Sequence, residues 1–489
     1  MAEADRKLFL GGRLKRLRRE LGLTQTAMAG DLGVSPSYLN HLERNQRPIT
    51  AQVLLRLAEA YDLDLRAFSG DADRGSEADL QEVFADPLFR DLPIPRHEVT
   101  GLVENTPGAA EAVVRLYRAF QDQRRRESLG LSPRLAHDAE GREAPVMTPD
   151  DWVRDHIQAH RNHFENLDAE GERLAAELDA GAPASGMGGF EAAAAARLLD
   201  RCRIQVRVMP VEVMVEYVRR YDPHRRRLML SETLEPSGRA FAVAYQLGLA
   251  ELNAELEAMC EAAAPPDLAA RRLLKVSLAN YLAAAIVMPY ARFLEAAESL
   301  GYDIGLLAAR FGASFEQVCH RLTTLSRPGA KGVPFFLIRV DNAGNVSKRF
   351  AGSSFPFSRF GGACPRWNIH ASFKAPGRIV TQVVQTFGDG ARWFTLARTV
   401  DRPVGAYGGS PDAELAVGLG CDLKYAPRLV YARGLDLDNP AAVEIGPACR
   451  LCERPNCRER AAPPLTRTLT VDEWARTVTA YPFAKGAEG

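Results

Sequence analysis

The chain has 489 residues, 46% hydrophobic and 25% charged, and its formal net charge is zero. This composition is typical of a globular protein with roughly two to four domains. It excludes nucleic-acid binding through overall charge, so any such affinity must come from a local excess of basic residues. The region after Met1 lacks the apolar run of a signal peptide, and the longest apolar stretch, 276–288, is too short to cross a bilayer. The sequence therefore predicts a cytoplasmic protein without membrane contact.

The first 70 residues are predicted to form a domain of short helices separated by tight turns. Between residues 6 and 20, seven Lys or Arg residues stand against a single acid. Thr24 is the expected N-cap of a helix that ends at Gly33, where the turn favours positive φ. Ser35 is the expected N-cap of the next helix, 36–44, which has a polar outer face. Two helices joined in this way are typical of a helix-turn-helix.

The segment 13–68 resembles the Cro/C1 (XRE-type) DNA-binding domain through Leu23-Thr24-Gln25, Leu32-Gly33-Val34 and Leu42-Glu43-Arg44-Asn45. The resemblance implies that the first of the two helices is braced on a phosphate and that the second faces base edges. The residues it assigns to DNA contact are Gln25, Ser35, Ser37, Tyr38, Asn40, His41, Arg44 and Arg47. The alternative is a helical protein-interaction module, but the basic first helix favours DNA.

Residues 71–148 are predicted to be a linker with one connecting helix. The stretch from Gly70 to Asp91 is rich in acids and is followed by Pro93 and Pro95, which stiffen the chain, as is typical of a spacer. Further on, Ala109–Arg126 has the apolar spacing of an amphipathic helix that connects domains or dimerises.

Residues 149–326 are predicted to be mainly helical, starting with one long helix over 151–178. His156, His160 and His163 are spaced to share a face of that helix, and their charged surroundings favour a solvated face over a metal site. The alternating segment 203–209 is predicted to be a strand paired with 227–230.

Two later segments of this region, 239–251 and 280–289, resemble the core helices of the ImmA/IrrE-type peptidases. Those enzymes need a His-Glu-x-x-His motif, in which two imidazoles hold zinc and the carboxylate acts as base. Tyr245, Gln246 and Leu249 occupy the three positions here. The sequence therefore predicts a degenerate zincin-like scaffold with no catalytic residue.

Residues 327–489 are predicted to form a β-rich sensor domain. One hairpin joins 335–340 to 346–350 and a second joins 378–387 to 392–396. With the helical regions before it, this domain makes the chain a multidomain α+β protein.

Three cysteines of the C-terminal domain lie within nine residues, at Cys449, Cys452 and Cys457. Thiolates bind zinc or iron–sulfur clusters, and in a reducing compartment clustered cysteines favour metal over disulfides. With the remote Cys364 they are predicted to form a four-thiolate site. The presence of one Cys-x2-Cys pair rather than two favours an iron–sulfur cluster over structural zinc; the absence of any metal stays open, and Cys421 is the rival fourth ligand.

Over essentially its full length the chain resembles the short-chain fatty-acyl transcriptional regulators, the family of the actinobacterial propionate and glyoxylate-gene regulators. Four motifs carry the resemblance, at 39–48, 221–228, 357–370 and 446–457. It implies a regulator of acyl-CoA metabolism genes that binds a short-chain acyl-CoA such as propionyl-CoA, and a [4Fe-4S] cluster on the four cysteines above.

If coenzyme A binds, its phosphates need cations and its adenine an aromatic ring, and the candidates are Arg359, Arg366, Trp367, Lys374 and Arg378. We expect a homodimer or higher homo-oligomer on double-stranded operator DNA, because one half-site offers too few contacts for specificity. Two alternatives remain: an iron–sulfur redox or iron sensor, and a DNA-bound metalloprotease that cleaves a partner regulator.

Overall fold

The computed structural model of the chain contains two compact units, which are described in turn. The first comprises 1–147, 354–363 and 446–489, and the second 148–353 and 364–445. Within them the structure describes residues 11–20, 23–44, 46–61, 71–89, 92, 94–128, 148–181, 188–352, 355, 357, 363–402, 413–464 and 467–483.

The N-terminal part of the first unit is the predicted helix-turn-helix. It contains α1 (Gly11–Glu20), α2 (Gln25–Asp31), α3 (Pro36–Glu43) and α4 (Ala51–Tyr61). Apolar side chains from all four helices, among them Leu14, Met28, Leu39 and Leu57, form one buried core. The predicted caps are confirmed, since the hydroxyls of Thr24 and Ser35 accept hydrogen bonds from the first turns of α2 and α3. Gly33 has φ +61, as the turn requires.

The predicted acidic spacer is wrong, because the segment is helical. Where the structure describes the rest of this N-terminal part, α4 is followed by α5 (Asp71–Phe84), α6 (Arg96–Asn105) and α7 (Pro107–Ser128), and the last contains the predicted connecting helix. They share a core of Leu80, Val83, Val99, Val103, Ala110, Val114 and Tyr117. The acidic stretch contains apolar residues at helical spacing, and these side chains form part of this core. Their burial stabilises the helix, which the high acid content alone did not predict.

The helical part of the second unit contains α8 (Pro149–Ala159), α9 (Glu165–Gly181), α10 (Gly188–Cys202), α11 (Val211–Met214), α12 (Pro236–Glu251), α13 (Asn253–Ala262), α14 (Leu268–Val287), α15 (Tyr290–Ser299), α16 (Ile304–Phe311) and α17 (Phe315–Leu322). The predicted single helix over 151–178 is wrong. Arg161 and Asn162 both have positive φ, so the helix ends at Ala159 and a second one begins at Glu165.

A small sheet accompanies these helices, with β1 (Gln205–Met209), β2 (Arg219–Asp222) and β3 (Arg227–Ser231) in the order β1-β3-β2. β1 pairs with β3 in parallel, which confirms the predicted partnership, and β2 pairs with β3 antiparallel. No single helix among the described residues is long and apolar enough to cross a membrane; by length and composition alone, the bent pair α14–α15 passes that test.

A six-stranded sheet completes the second unit, in the order β5-β4-β8-β7-β6-β9. Its strands are β4 (Phe336–Asp341), β5 (Val346–Ala351), β6 (Val380–Thr386), β7 (Arg392–Arg402), β8 (Ala413–Asp422) and β9 (Val443–Ile445), and a short helix, α18 (Asn368–Ala371), lies between β5 and β6. Both predicted hairpins are confirmed. One hydrophobic cluster includes residues of the helices, such as Leu167 and Leu282, and of the sheet, such as Phe394 and Val417.

Candidate functional site

The outer face of α3 presents the polar residues predicted to contact DNA. Ser37, His41 and Arg44 are exposed at i, i+4 and i+7, and Arg47 is exposed just beyond the helix. Asn40 is half-buried on the same helix. This spacing is that of a recognition helix, whose side chains reach base edges in the major groove.

Three of the residues predicted to contact DNA also make contacts within the domain itself. Ser35 is exposed, but its hydroxyl accepts the backbone N–H of Tyr38 at 3.1 Å and so fixes the start of α3. Tyr38 is half-buried and lies 5.9 Å from the guanidinium of Arg47, measured to the ring centroid. The imidazole Nδ1 of His41 lies 2.5 Å from the side-chain oxygen of Gln46.

A buried ion pair joins α1, α2 and α3 behind that face. Glu43 is 6% exposed and accepts hydrogen bonds from Arg18 at 2.6 Å and from the amide of Gln25 at 2.7 Å. Burial alone raises the pKa of Glu43, but these two donors outweigh it and hold the pKa below its ordinary value. The Gln25 amide also lies 3.4 Å from the side-chain oxygen of Asn40. Gln25 thus orients a residue of the recognition helix.

The turn between α2 and α3 requires glycine at Gly33. Arg56 of α4 donates hydrogen bonds to the carbonyls of Leu32 and Gly33, at 2.9 and 3.3 Å. A Cβ on Gly33 would lie 2.6 Å from the Arg56 guanidinium. The positive φ strains any other residue here, and a side chain would also require the Arg56 guanidinium to shift.

In the second unit, the peptidase-like motif positions are filled by packed side chains. Tyr245 and Gln246 are 5% and 6% exposed on α12, and Leu249 is half-buried. The guanidinium of Arg219, from β2, lies 3.6 Å from the ring centroid of Tyr245. Glu251, the nearest acid in sequence, is held by Arg197 at 2.6 Å. These residues supply neither the imidazoles nor the free carboxylate that a zinc peptidase uses.

The cysteine segment belongs to the first unit and packs around Cys452. A Cβ on Gly446 would lie 2.6 Å from Sγ of Cys452, so the backbone passes against this thiol. Arg460 is 5% exposed and donates to the carbonyls of Cys449 and Arg454, at 3.0 and 2.7 Å. Cys452 and Cys457 are buried and Cys449 is half-buried.

The thiol donors suit a soft metal, but in this conformation they are not gathered into a metal site. Over the ranges that the structure describes, no group of three or more His, Cys, Asp or Glu side chains is placed to hold a metal ion. None of the eight cysteines forms a disulfide. Cys364 and Cys421 are buried in the second unit, and burial raises the pKa of the Cys421 thiol well above its ordinary value.

The residues proposed for coenzyme A differ in exposure. Trp367 is 3% exposed and packs near Phe336, so in this conformation its ring is not accessible for the predicted stacking on adenine. Arg366 is half-buried, whereas Lys374 and Arg378 are exposed. Arg359 lies outside the described residues.

Comparison with known proteins gives these features a family. Family profiles match in three blocks, which are "Helix-turn-helix" over 14–68, "IrrE N-terminal-like domain" over 199–323 and "Short-chain fatty acyl coenzyme A regulator, C-terminal" over 324–481. The transcriptional regulator RamB of Mycobacterium tuberculosis is 38% identical, over 97% of this chain and 98% of its own. The chain belongs to the short-chain fatty acyl coenzyme A regulators.

Two further relatives support the assignment of the chain to these regulators. The propionyl-CoA carboxylase regulator of Cereibacter sphaeroides is 39% identical, over 97% of this chain and 98% of its own. A solved M. tuberculosis transcriptional regulator has a TM-score of 0.64 and 39% identity, covering 69% of this chain and 100% of its own. The predicted family, the mixed α+β fold and the function as a helix-turn-helix transcriptional regulator are confirmed.

Sequence reasoning missed the residues that support the recognition helix. Glu43 is part of a matched motif and Arg18 is part of the basic segment. The two residues are 25 positions apart, and no local sequence pattern predicts that they form an ion pair. The sequence did offer one signal. Glu43 follows Leu42, which was predicted to be buried, and an unpaired carboxylate at such a position is costly, so a basic partner is expected.

Proposed function

We propose that this regulator binds its operator as a homodimer in the cytoplasm and that a short-chain acyl-CoA changes its affinity for that operator. The observation that carries the DNA-binding part is the face of α3, where Ser37, His41 and Arg44 stand exposed on a helix fixed by the Arg18–Glu43 pair. The proposal includes no catalysis, since Tyr245, Gln246 and Leu249 cannot hold zinc.

Selection of bound fragments from a random DNA library with the full chain tests the DNA-binding proposal. We expect a palindromic consensus, because two copies present the same helix to two half-sites. Asn40→Ala or His41→Ala should relax the preference at one base position of each half-site, by about 1–3 kcal/mol. Arg115→Ala is the matched control for general effects, since that arginine is exposed on α7. A non-palindromic consensus, unchanged by both variants, would contradict the proposal.

The acyl-CoA effector is proposed from the family and from one relative's printed name. Coenzyme A carries phosphates, and Lys374 and Arg378 are exposed cations close together in sequence in the matched C-terminal domain. Of the five predicted residues these two remain the accessible candidates within the described chain. Arg366 and Arg359 stay predictions.

Titration of the selected operator complex with propionyl-CoA tests the effector. We expect a shift in operator affinity with propionyl-CoA and no shift with free propionate, which lacks the phosphates. Lys374→Ala and Arg378→Ala should weaken the response, each by about tenfold in effector concentration. Arg433→Ala, an exposed arginine of the same unit, should leave it unchanged. If operator binding by all three variants responds equally to propionyl-CoA, Lys374 and Arg378 do not belong to the effector site.

A redox or iron-sensing role is the second candidate, favoured by three thiols within nine residues. The proposed donors are Cys449, Cys452 and Cys457, for a [4Fe-4S] cluster or, alternatively, zinc. Cys364 stays the fourth donor predicted from the sequence. Protein purified without oxygen should show visible absorbance and iron that Cys452→Ser removes and Cys202→Ser retains. Colourless protein with bound zinc would establish the alternative, and protein free of both metals would end the proposal.

A further inference from the structure

Four exposed apolar side chains lie within six residues at one end of the small sheet. Val213, Val215, Tyr217 and Val218 are each more than half exposed. A single exposed apolar residue is ordinary, but a group of them usually marks an interaction surface. The four belong to the segment between β1 and β2, which includes the short helix α11. Nothing in the DNA-binding, acyl-CoA or cysteine proposals uses this segment.

The segment is anchored at its centre and at both ends, so its outer side chains form a defined surface. Met214 is 2% exposed and anchors it to the unit. The backbone N–H of Val215 donates to the carbonyl of Val211 at 2.8 Å. The N–H of Ser231, on β3, donates to the carbonyl of Val218 at 3.0 Å. Val215 has φ +34, a conformation that β-branched residues rarely adopt and that is retained mainly where function requires it.

Two arginines extend this surface onto the outer face of the sheet. The register pairs Met229 of β3 with Arg207 on one side and with Arg220 on the other, so these side chains lie in one row on one face. Leu230 points to the opposite face and is fully buried in the hydrophobic cluster, so the row faces away from the core. The guanidinium of Arg220 lies 5.3 Å from the ring centroid of Tyr217, which joins the row to the apolar group.

The charges around the apolar group are balanced. Glu212 and Glu216 alternate with the apolar residues of the segment and are exposed, as are Arg207 and Arg220. None of these four side chains forms an ion pair with a residue that the structure describes. The two carboxylates would repel DNA or an anionic membrane surface, whereas a second copy of the same surface offers a glutamate for each arginine. The balance therefore indicates a second copy of the chain as the partner.

We propose that a second copy of the chain packs on this surface about a twofold axis. The apolar residues of the segment then meet those of the other copy, and Arg220 of each copy pairs with Glu216 of the other. Interfaces of this kind place apolar side chains at the centre, and tyrosine and arginine are enriched in them. The inference rests on the homodimer proposed above and adds the surface at which the two copies meet.

Sedimentation velocity of the full chain over a range of concentrations tests this surface. Val215→Glu places a charge at the centre of the interface and should raise the dissociation constant of the dimer by about tenfold or more. Leu116→Glu is the matched control, since Leu116 on α7 is 73% exposed and Val215 is 75% exposed, and it should leave the constant unchanged. A dimer that survives Val215→Glu would overturn the proposal, as would loss of the dimer in Leu116→Glu alone.

Failure of the homodimer itself gives a different result from failure of this surface. A wild type that stays monomeric at every concentration, and also on the selected operator, would contradict both proposals. A wild-type dimer that Val215→Glu does not weaken would contradict only the surface, because the two copies would then meet elsewhere.

An exchange of charges tests whether the partner is a second copy. Glu216→Arg and Arg220→Glu should each weaken the dimer by about tenfold, because like charges then meet in both symmetric contacts. An equimolar mixture of the two variants should recover most of the affinity, since each arginine again meets a glutamate. Melting curves check that both variants fold. No recovery in a mixture of folded variants would overturn the twofold pairing of Arg220 with Glu216.

Discussion

At the residue scale, the most demanding requirement of the second unit is the buried pair of Asp168 and Arg321. Both side chains are fully buried, and Arg321 also donates to the backbone carbonyl of Met288 at 2.9 Å. Burial alone raises the pKa of Asp168, but the charge of Arg321 and the hydrogen bonds from His163 and Tyr281 hold it below its ordinary value. The pair is therefore charged at neutral pH and links α9 to α17.

Asp168→Asn should lower the free energy of unfolding by about 3–5 kcal/mol, because it leaves the guanidinium of Arg321 buried without a counter-charge. The lowered pKa also fixes a pH dependence. The stabilisation from Asp168 is present at neutral pH and is lost as pH falls from the ordinary aspartate pKa towards the lowered folded value.

Urea unfolding of the full chain across acidic pH measures both effects. The wild type should lose more stability on acidification than Asp168→Asn, which has no carboxylate to protonate. Asp200→Asn, at an exposed position of α10, should behave as the wild type at every pH. Parallel curves for the wild type and Asp168→Asn would exclude the pair as the source of the pH dependence.

At the element scale, Glu43 of α3 connects the first three helices of the DNA-binding domain through its hydrogen bonds to Arg18 of α1 and Gln25 of α2. Glu43→Gln keeps the shape of the side chain but removes the charge that Arg18 meets, and it should destabilise these helices by about 1–3 kcal/mol. Since Gln25 and Asn40 depend on the same group, operator affinity should fall as well. Arg154→Gln, whose ion pairs on α8 are partly exposed, is the control and should change operator affinity little. Operator binding at wild-type strength in Glu43→Gln would show that the pair does not support recognition.

Local chemistry explains which elements the sequence predicted. The helix caps and the turn depend only on neighbouring residues, so they could be predicted from the residue types of Thr24, Ser35 and Gly33. The break after α8 did not, because it depends on distant partners. Asn162 donates to the hydroxyl of Thr323 at 2.8 Å and the hydroxyl of Ser326 donates to the carbonyl of Arg161 at 3.1 Å.

Strand β8 was missed for a related reason. It contains Ala416, Gly418 and Gly420, which have low strand propensity, and it is stable because β4 and β7 pair with it on both sides. The contact of Arg219 with Tyr245 was missed as well, since it joins a strand to a helix 26 positions later in a way no local pattern encodes.

The glycines of β8 give a direct test of this packing. A Cβ on Gly420 would lie 2.3 Å from the ring of Phe336, on the paired strand β4. Gly420→Ala should therefore destabilise the second unit by about 1–3 kcal/mol through overpacking. Gly189→Ala, in the first turn of α10 with no atom within 4 Å of the added Cβ, should be neutral or slightly stabilising. Thermal unfolding of the two variants measures the difference, and equal midpoints would contradict it.

At the scale of the whole molecule, the basic charge that can attract DNA is confined to one part of the chain, whereas the hydrophobic core of the second unit extends across two predicted domains. The 62 basic and 62 acidic side chains cancel, so attraction to DNA depends on the N-terminal helices rather than on the chain as a whole. Within the second unit, by contrast, the helical part and the six-stranded sheet share one hydrophobic cluster. The boundary predicted near residue 326 therefore separates two family profiles but does not divide the hydrophobic core.

The local origin of the charge predicts how operator binding responds to salt. Each phosphate that a cation neutralises adds about one to the slope of log affinity against log salt concentration. Arg44→Ala should reduce the slope by about one for each copy bound, and hence by about two for a dimer on a palindrome. Arg115→Ala removes the same charge from α7, away from the recognition helix, and should leave the slope unchanged. Titrations of the selected operator at several salt concentrations measure both slopes; equal losses would mean that overall charge governs affinity, and a loss of one would mean that a single copy binds.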